Sequence, residues 1–121
     1  VNYQNIAQYE FYNNYSLWNY QFSKECKTIG DRAFTNCYRL KKVVLFDKVT
    51  SIGWQAFYNC YGVEMYKIYA TTPPTLGTDV FYAINSICKI YVPDASLTAY
   101  KTATNWVTYA DYIYPLSDIG E

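Results

Sequence analysis

Apolar positions in the middle of the chain recur with a spacing that changes period partway through each cycle. Between Ala33 and Leu40, apolar side chains fall at i, i+1, i+4 and i+7, which is typical of one face of a short helical turn. Between Leu40 and Leu45 the spacing ends in a two-residue alternation, as a strand requires. The pattern therefore predicts a unit made of a short helix or 3₁₀ turn followed by a short strand.

The sequence of this unit recurs along the chain. Residues 29–40 read IGDRAFTNCYRL, and 23 residues later positions 52–63 read IGWQAFYNCYGV. The offset extends backward through Ile6 and Phe11 and, with one extra residue, forward through Leu76 and Phe81. We therefore predict a solenoid of four repeats, at 6–28, 29–51, 52–74 and 75–93. One unit cannot bury its own apolar edge, so neighbouring strands should stack about 4.8 Å apart in a parallel sheet.

The repeat columns also predict the core. Phe34, Phe57 and Phe81 should stack in one buried column, with Phe11 as a looser fourth member. Three glycines, at positions 30, 53 and 77, should supply a permissive backbone where one coil turns into the next.

The cysteines fit the same packing scheme. Cys37 and Cys60 share an inward column, so we expect them to behave as small hydrophobic residues rather than as a disulfide. Cys26 falls in the column of Val49, and Cys88 lies beside the strand of the fourth repeat. Without a C-x-x-C pair or any histidine, no metal site is expected.

A separate closing element should follow Pro93, because proline cannot donate to a strand ladder. Residues 94–121 are predicted to form a C-terminal helical cap, beginning with a helix that starts at Asp94 or Ser96. It should cover the open apolar edge of the array. That edge is expected to comprise Ile87, Ile90 and Val92, and the covering side chains Tyr100, Trp106, Tyr109 and Ile113.

Charge and catalytic chemistry narrow the functional classes. Ten basic and ten acidic side chains give no broad attraction to nucleic acid, and no apolar run reaches the roughly 18 residues that span a bilayer. The absence of histidine rules out a Ser-His-Asp or Cys-His relay, and no phosphate-binding glycine loop is present. We therefore expect neither an enzyme nor a cofactor, with a carboxylate hydrolase left as a weaker alternative.

Sixteen tyrosines make the surface the most informative part of the sequence. Tyrosine offers a large contact area with a polar tip, although it also suits a purely structural side-chain ladder. The outward strand positions should display a mixed aromatic and lysine face whose centre is Phe46, Lys67, Tyr69 and Tyr91. A second candidate lies on the turns, where Tyr15, Tyr38 and Tyr61 form one column and Tyr12, Tyr58 and Tyr82 another.

The second repeat and its following residues, IGDRAFTNCYRLKKVVLFDKVTS, resemble the BspA-type leucine-rich repeat, whose unit reads I-G-x-x-A-F-x-x-C-x-x-L-x-x-V-x-I-P-x-x-V-T-x. Residues 89–116 are similar to the closing segment of such arrays. The first repeat departs from the pattern at Ala7, Glu10 and Asn14. The resemblance implies a right-handed α/β solenoid from a secreted or surface-anchored bacterial protein. It further implies adhesion to host or bacterial surface or matrix proteins, and the alternative is a carbohydrate-binding module.

Overall fold

The structure of the chain is a computed structural model that describes residues 5–120. Two parallel sheets run through it. Strands of two residues form the first sheet, in the order β1-β2-β4-β6; they are β1 (Asn5–Ile6), β2 (Thr28–Ile29), β4 (Ser51–Ile52) and β6 (Thr75–Leu76). Longer strands form the second, in the order β3-β5-β7-β8; they are β3 (Lys42–Leu45), β5 (Met65–Ile68), β7 (Lys89–Val92) and β8 (Ile113–Pro115).

Strand register confirms the spacing read from the sequence. Ile6 lies opposite Ile29, which in turn lies opposite Ile52. From there the partner is Leu76, so the last step contains the one extra residue that the alignment required. The second, third and fourth coils contribute a strand to each sheet, whereas the first coil contributes β1 only, and stacking the coils gives a repeat solenoid. The sheet of two-residue strands was not part of the prediction.

The helical part of the predicted unit is wrong, because two successive turns occupy its place. The N–H of Ala33 donates to the carbonyl of Gly30 at 3.2 Å, and the N–H of Cys37 donates to Phe34 at 3.2 Å. Arg32 and Asn36, the third residues of these turns, have φ of 53° and 64°, as a type II turn requires. Between them the N–H of Phe34 donates to the next coil instead. Two linked turns place inward side chains three to four residues apart, which imitates a helical period.

The repeat glycines are needed for close approach rather than for a permissive backbone. None of the three has a positive φ; among the described residues the only glycine that does is Gly120. A Cβ added to Gly30 would lie 2.4 Å from the backbone nitrogen of Gln8, and one added to Gly77 would lie 2.5 Å from that of Trp54. Glycine therefore lets each coil settle against the backbone of the coil before it.

The phenylalanine column is confirmed. Phe34 and Phe57 stack with centroids 5.2 Å apart, and Phe57 and Phe81 follow at 6.2 Å. Phe11 stacks on Phe34 at 5.0 Å but is only partly buried, as expected for an end position.

All four cysteines are buried free thiols. The Sγ of Cys37 donates to the carbonyl of Phe11 at 3.3 Å, and that of Cys60 donates to Phe34 at 2.9 Å. Desolvation raises the pKa of Cys37 to about 11 and that of Cys60 further. These thiols are therefore protonated packing residues that also bond to the preceding coil.

The C-terminal segment packs over the last coil through aromatic side chains. It contains a 3₁₀ turn (Asp94–Ser96), α1 (Leu97–Thr102), a kinked pair of 3₁₀ turns (Trp106–Tyr112), β8 and a final 3₁₀ turn (Leu116–Ile119). The hydroxyl of Tyr100 donates to the carbonyl of Ala70 at 2.6 Å, and the indole N–H of Trp106 donates to Pro74 at 2.8 Å. Both side chains are fully buried, so this segment shares one core with the coils.

One expected member of the covered edge is misplaced. Ile90 and Val92 are buried as predicted, but Ile87 is 67% exposed. The side-chain oxygen of Asn85 accepts the N–H of Ile87 at 3.0 Å, which turns the chain outward at that point. Cys88 is buried in its vicinity instead.

Candidate binding surface

The outer face of the longer-strand sheet carries a groove bordered by two aromatic rings. Phe46 and Tyr69 follow β3 and β5 and stack with centroids 6.0 Å apart and an interplanar angle of 11°. Beside them is an open depression of about 390 Å³, which we call the strand-face groove; it is lined by Lys24, Val44, Phe46, Asp47, Lys67 and Tyr69. Three of the predicted binding residues are therefore brought together.

Lys67 lines this groove, but it is not exposed on the strand face as the sequence predicted. Its side chain is only 7% exposed, because it lies in the middle row of the sheet between Val44 and Tyr91. A lysine in this position packs its methylene stem along its neighbours. It therefore forms part of the wall of the groove rather than a projecting charge.

Tyr91 does not belong to an exposed face, and this part of the prediction is wrong. The residue is 8% exposed because β8 pairs with β7 and places Tyr114 directly opposite, with ring centroids 6.4 Å apart. The ammonium of Lys89 also lies 5.0 Å from the centroid of the Tyr114 ring. The C-terminal segment thus covers the end of the sheet where the sequence predicted display.

The turn column forms a continuous stack, which we call the tyrosine ladder (Tyr15, Tyr38 and Tyr61). Its rings lie 5.2 Å and 5.0 Å apart with interplanar angles of 7° and 17°. Desolvation, with a smaller contribution from the neighbouring phenols, raises the pKa of Tyr38. The next rung is Asn85, whose amide donates to the carbonyl of Tyr61 at 3.1 Å. Within the ladder the rings cover one another's faces, so mainly edges and hydroxyls meet solvent.

The other predicted turn column is interrupted. Tyr58 and Tyr82 stack at 4.7 Å, but Thr35 occupies the intervening position and separates them from Tyr12. Tyr12 instead meets the edge of Tyr9 at 5.3 Å.

Sequence reasoning missed the aromatic residue that is most exposed among residues 5–120. Trp18 is 68% exposed, and its equivalents one and two repeats later are Lys41 and Glu64. An aromatic residue in the column that holds Lys41 and Glu64 in the next two coils was the available signal. Trp54 is also exposed, and the guanidinium of Arg32 lies 4.3 Å from its ring centroid. This cation–π pair links two coils.

Within residues 5–120, no group of three potential metal-ligating side chains comes together. The helices of that same part of the chain are all too short or too polar to cross a bilayer.

The stacked coils, with their parallel strands and recurring apolar inward columns, define a leucine-rich-repeat solenoid. Residues 4–105 match the family model described as the BspA type leucine rich repeat region, in six copies. The chain therefore belongs to the BspA-type leucine-rich repeat family, which confirms the resemblance read from the sequence. The copy number differs from the four repeats predicted, so that division remains a prediction. No curated protein matches the chain.

Membership in this family indicates a protein-interaction module of a kind commonly associated with bacterial surfaces. Such repeats typically serve as non-enzymatic binding scaffolds.

Proposed function

We propose that this chain is a non-enzymatic binding and adhesion module of a secreted or cell-surface bacterial protein, and that it contacts a protein partner through the strand-face groove. The observation that supports this most strongly is the solvent-facing stack of Phe46 and Tyr69 beside that groove. Their positions point away from the core, so coil stacking does not demand aromatic side chains there. Aromatic residues that line a depression are a composition typical of protein-binding hot spots.

The groove suits a protein side chain better than a small molecule. Its volume of about 390 Å³ is near the lower end of ligand pockets, but it is open to solvent rather than enclosed. Lys24 and Asp47 line the groove with one charge of each sign and Lys67 adds a second lysine to its wall, so charged groups there can orient a partner. Host or bacterial surface and matrix proteins are the partners that we propose.

The tyrosine ladder is our second choice of site, and it bears on the carbohydrate alternative. Sugars stack on exposed aromatic faces, but in the ladder each inner face is covered by the next ring. Only the terminal rings, Tyr15 and Tyr61, have a face that no other ladder tyrosine covers, and Asn85 follows Tyr61 as the next rung. The exposed edges and hydroxyls suit hydrogen bonding to a protein, and this geometry favours a protein partner over a glycan.

A paired set of double substitutions tests the assignment. Phe46→Ala with Tyr69→Ala should weaken attachment by about 2 kcal/mol, or roughly 30-fold in Kd. Tyr38→Ala with Tyr61→Ala is the matched aromatic control, and Val107→Ser removes an exposed apolar side chain from the C-terminal segment. Each variant would be tested by surface plasmon resonance on a panel of matrix proteins and bacterial surface extracts, and on a glycan array.

Circular dichroism and urea unfolding must show that every variant is folded. Undiminished binding by the folded Phe46/Tyr69 variant would refute the strand-face site, and loss on the ladder variant alone would move the site to the turns. Binding confined to glycans would favour the carbohydrate alternative.

A further inference from the structure

The first coil differs from the later ones at the positions that touch a preceding coil. Residues 7, 10 and 14 are Ala, Glu and Asn, whereas their equivalents in the second and third coils are glycine, alanine and cysteine. In the later coils, the glycine and the cysteine contact the backbone of the preceding coil, and the alanine is buried. Each departure has a separate physical consequence.

Ala7 introduces a side chain where the array has no room for one. At Gly30, Gly53 and Gly77 an added Cβ would come within 2.4 to 2.6 Å of a backbone nitrogen of the preceding coil. Ala7 is the equivalent residue of the first coil and carries that Cβ. A coil placed before it with the spacing of the others would collide with this methyl group.

Glu10 satisfies the backbone donor that would otherwise bond to a preceding coil. The N–H of Gly30 donates to the carbonyl of Ile6 at 2.8 Å, and the same bond recurs at Gly53 and Gly77 at 2.8 and 2.9 Å. In the first coil the N–H of Ala7 donates instead to the carboxylate Oε1 of Glu10 at 3.2 Å. The local carboxylate thus substitutes for the missing carbonyl.

Asn14 removes the third contact. Cys37 and Cys60 each point a thiol at a carbonyl of the preceding coil. Asn14 has no thiol to donate in this way, and its side-chain oxygen instead accepts a hydrogen bond from the hydroxyl of Ser16 at 3.3 Å within the same coil. It is also partly exposed, whereas both cysteines are buried.

We infer that Ala7, Glu10 and Asn14 close the N-terminal face of the solenoid against the stacking of any further coil, whether from the same polypeptide or from a second copy. A polypeptide segment that precedes this chain can continue from it, but not as a BspA-type coil in the same register. The closed face also keeps the exposed aromatic side chains of the first coil, Tyr9, Tyr15 and Trp18, on an end that no further coil covers. This inference is independent of the proposed function.

Adding one coil tests the closure directly. A copy of residues 29–51 inserted between Asn5 and Ile6 keeps the repeat register, because Ser51 then precedes Ile6 as it precedes Ile52 in the native chain. The same insertion would be made in the Ala7→Gly, Glu10→Ala, Asn14→Cys variant. A matched control places the copy between Ser51 and Ile52, where it has a stacking partner on both sides.

Limited trypsin digestion and the urea m value report whether the added coil is packed, since m rises with the surface buried. The copy contains arginine and lysine sites for cleavage. We expect it to be cut at least roughly 10-fold faster on the native first coil than in the triple variant or in the mid-array control, because cleavage tracks the unpacked population. The m value should rise only when the copy is inserted in the triple variant or in the middle of the array.

Protection of the added coil on the native first coil, equal to that in the mid-array control, would overturn the inference. Rapid cleavage in the triple variant, with protection in the control, would also refute the assignment to these three residues. The triple variant without the insertion must be folded by circular dichroism; otherwise Ala7→Gly alone takes its place, with the same expected protection relative to the native coil.

Discussion

Replacing Phe57 by alanine should be among the most destabilising single truncations of this fold. The ring is almost fully buried, with Phe34 stacked at 5.2 Å on one side and Phe81 at 6.2 Å on the other. Tyr66 meets it edge-on at 5.5 Å. Because both neighbouring coils hold their positions, the cavity cannot collapse, and we expect a loss of about 3 to 5 kcal/mol in the free energy of unfolding.

The same truncation at the end of the column provides the comparison. Phe11 is partly buried and stacks on one ring of its column only, so Phe11→Ala should cost less than about 2 kcal/mol. Urea unfolding followed by tyrosine and tryptophan fluorescence gives both values, with Tyr69→Ala as an exposed control expected to stay within about 0.5 kcal/mol of the native chain. Equal losses at Phe57 and Phe11 would refute the stacking argument.

Two further predictions concern alkaline stability and the C-terminal segment. Desolvation raises the pKa of Cys37 to about 11 and that of Tyr66 well above 10.0. Above pH 9 the unfolded chain therefore loses protons that the folded chain keeps. The free energy of unfolding must consequently fall as the pH rises. Urea midpoints between pH 8 and 10.5 should show this, with Cys60→Ala reducing the slope by up to about 1.4 kcal/mol per pH unit; an unchanged slope would contradict burial of that thiol. Deleting every residue after Pro93 should uncover Ile90 and Val92 and convert soluble monomer to aggregate on size-exclusion chromatography. A stable monomer with unchanged melting would show that the segment is not a cap.

The sequence was sufficient for whatever depends on the repeat offset alone. The strand partners Ile29 and Ile52, the phenylalanine column and the tyrosine ladder all follow from that offset, because a stacked array places equivalent residues one above another. No long-range information was needed. Each coil contacts only the coils next to it, so the alignment of the repeats already identifies which residues are in contact.

The offset could not distinguish a helix from two consecutive turns. Both structures put Ala33, Phe34 and Cys37 inward at the observed spacing. The difference lies in the backbone, where Arg32 and Asn36 adopt left-handed φ values and alternate N–H groups bond to the next coil. Asparagine tolerates that conformation well, but arginine gives no such signal, so the sequence favoured the helix.

Exposure on the strand face was the least predictable property, because it depends on contacts outside the repeat. Tyr69 and Tyr91 are both outward aromatic residues of successive coils, but Tyr69 follows β5 whereas Tyr91 lies within β7 opposite Lys67, and only Tyr69 remains exposed. Two neighbours cover Tyr91: Lys67 of β5 on one side, and on the other Tyr114 of β8, a strand that the repeat pattern does not contain. A binding face on this sheet must therefore lie toward β3 and β5, away from the C-terminal segment. The groove beside Phe46 satisfies that condition, since Lys24 of the first coil contributes to its wall and no residue of β8 does.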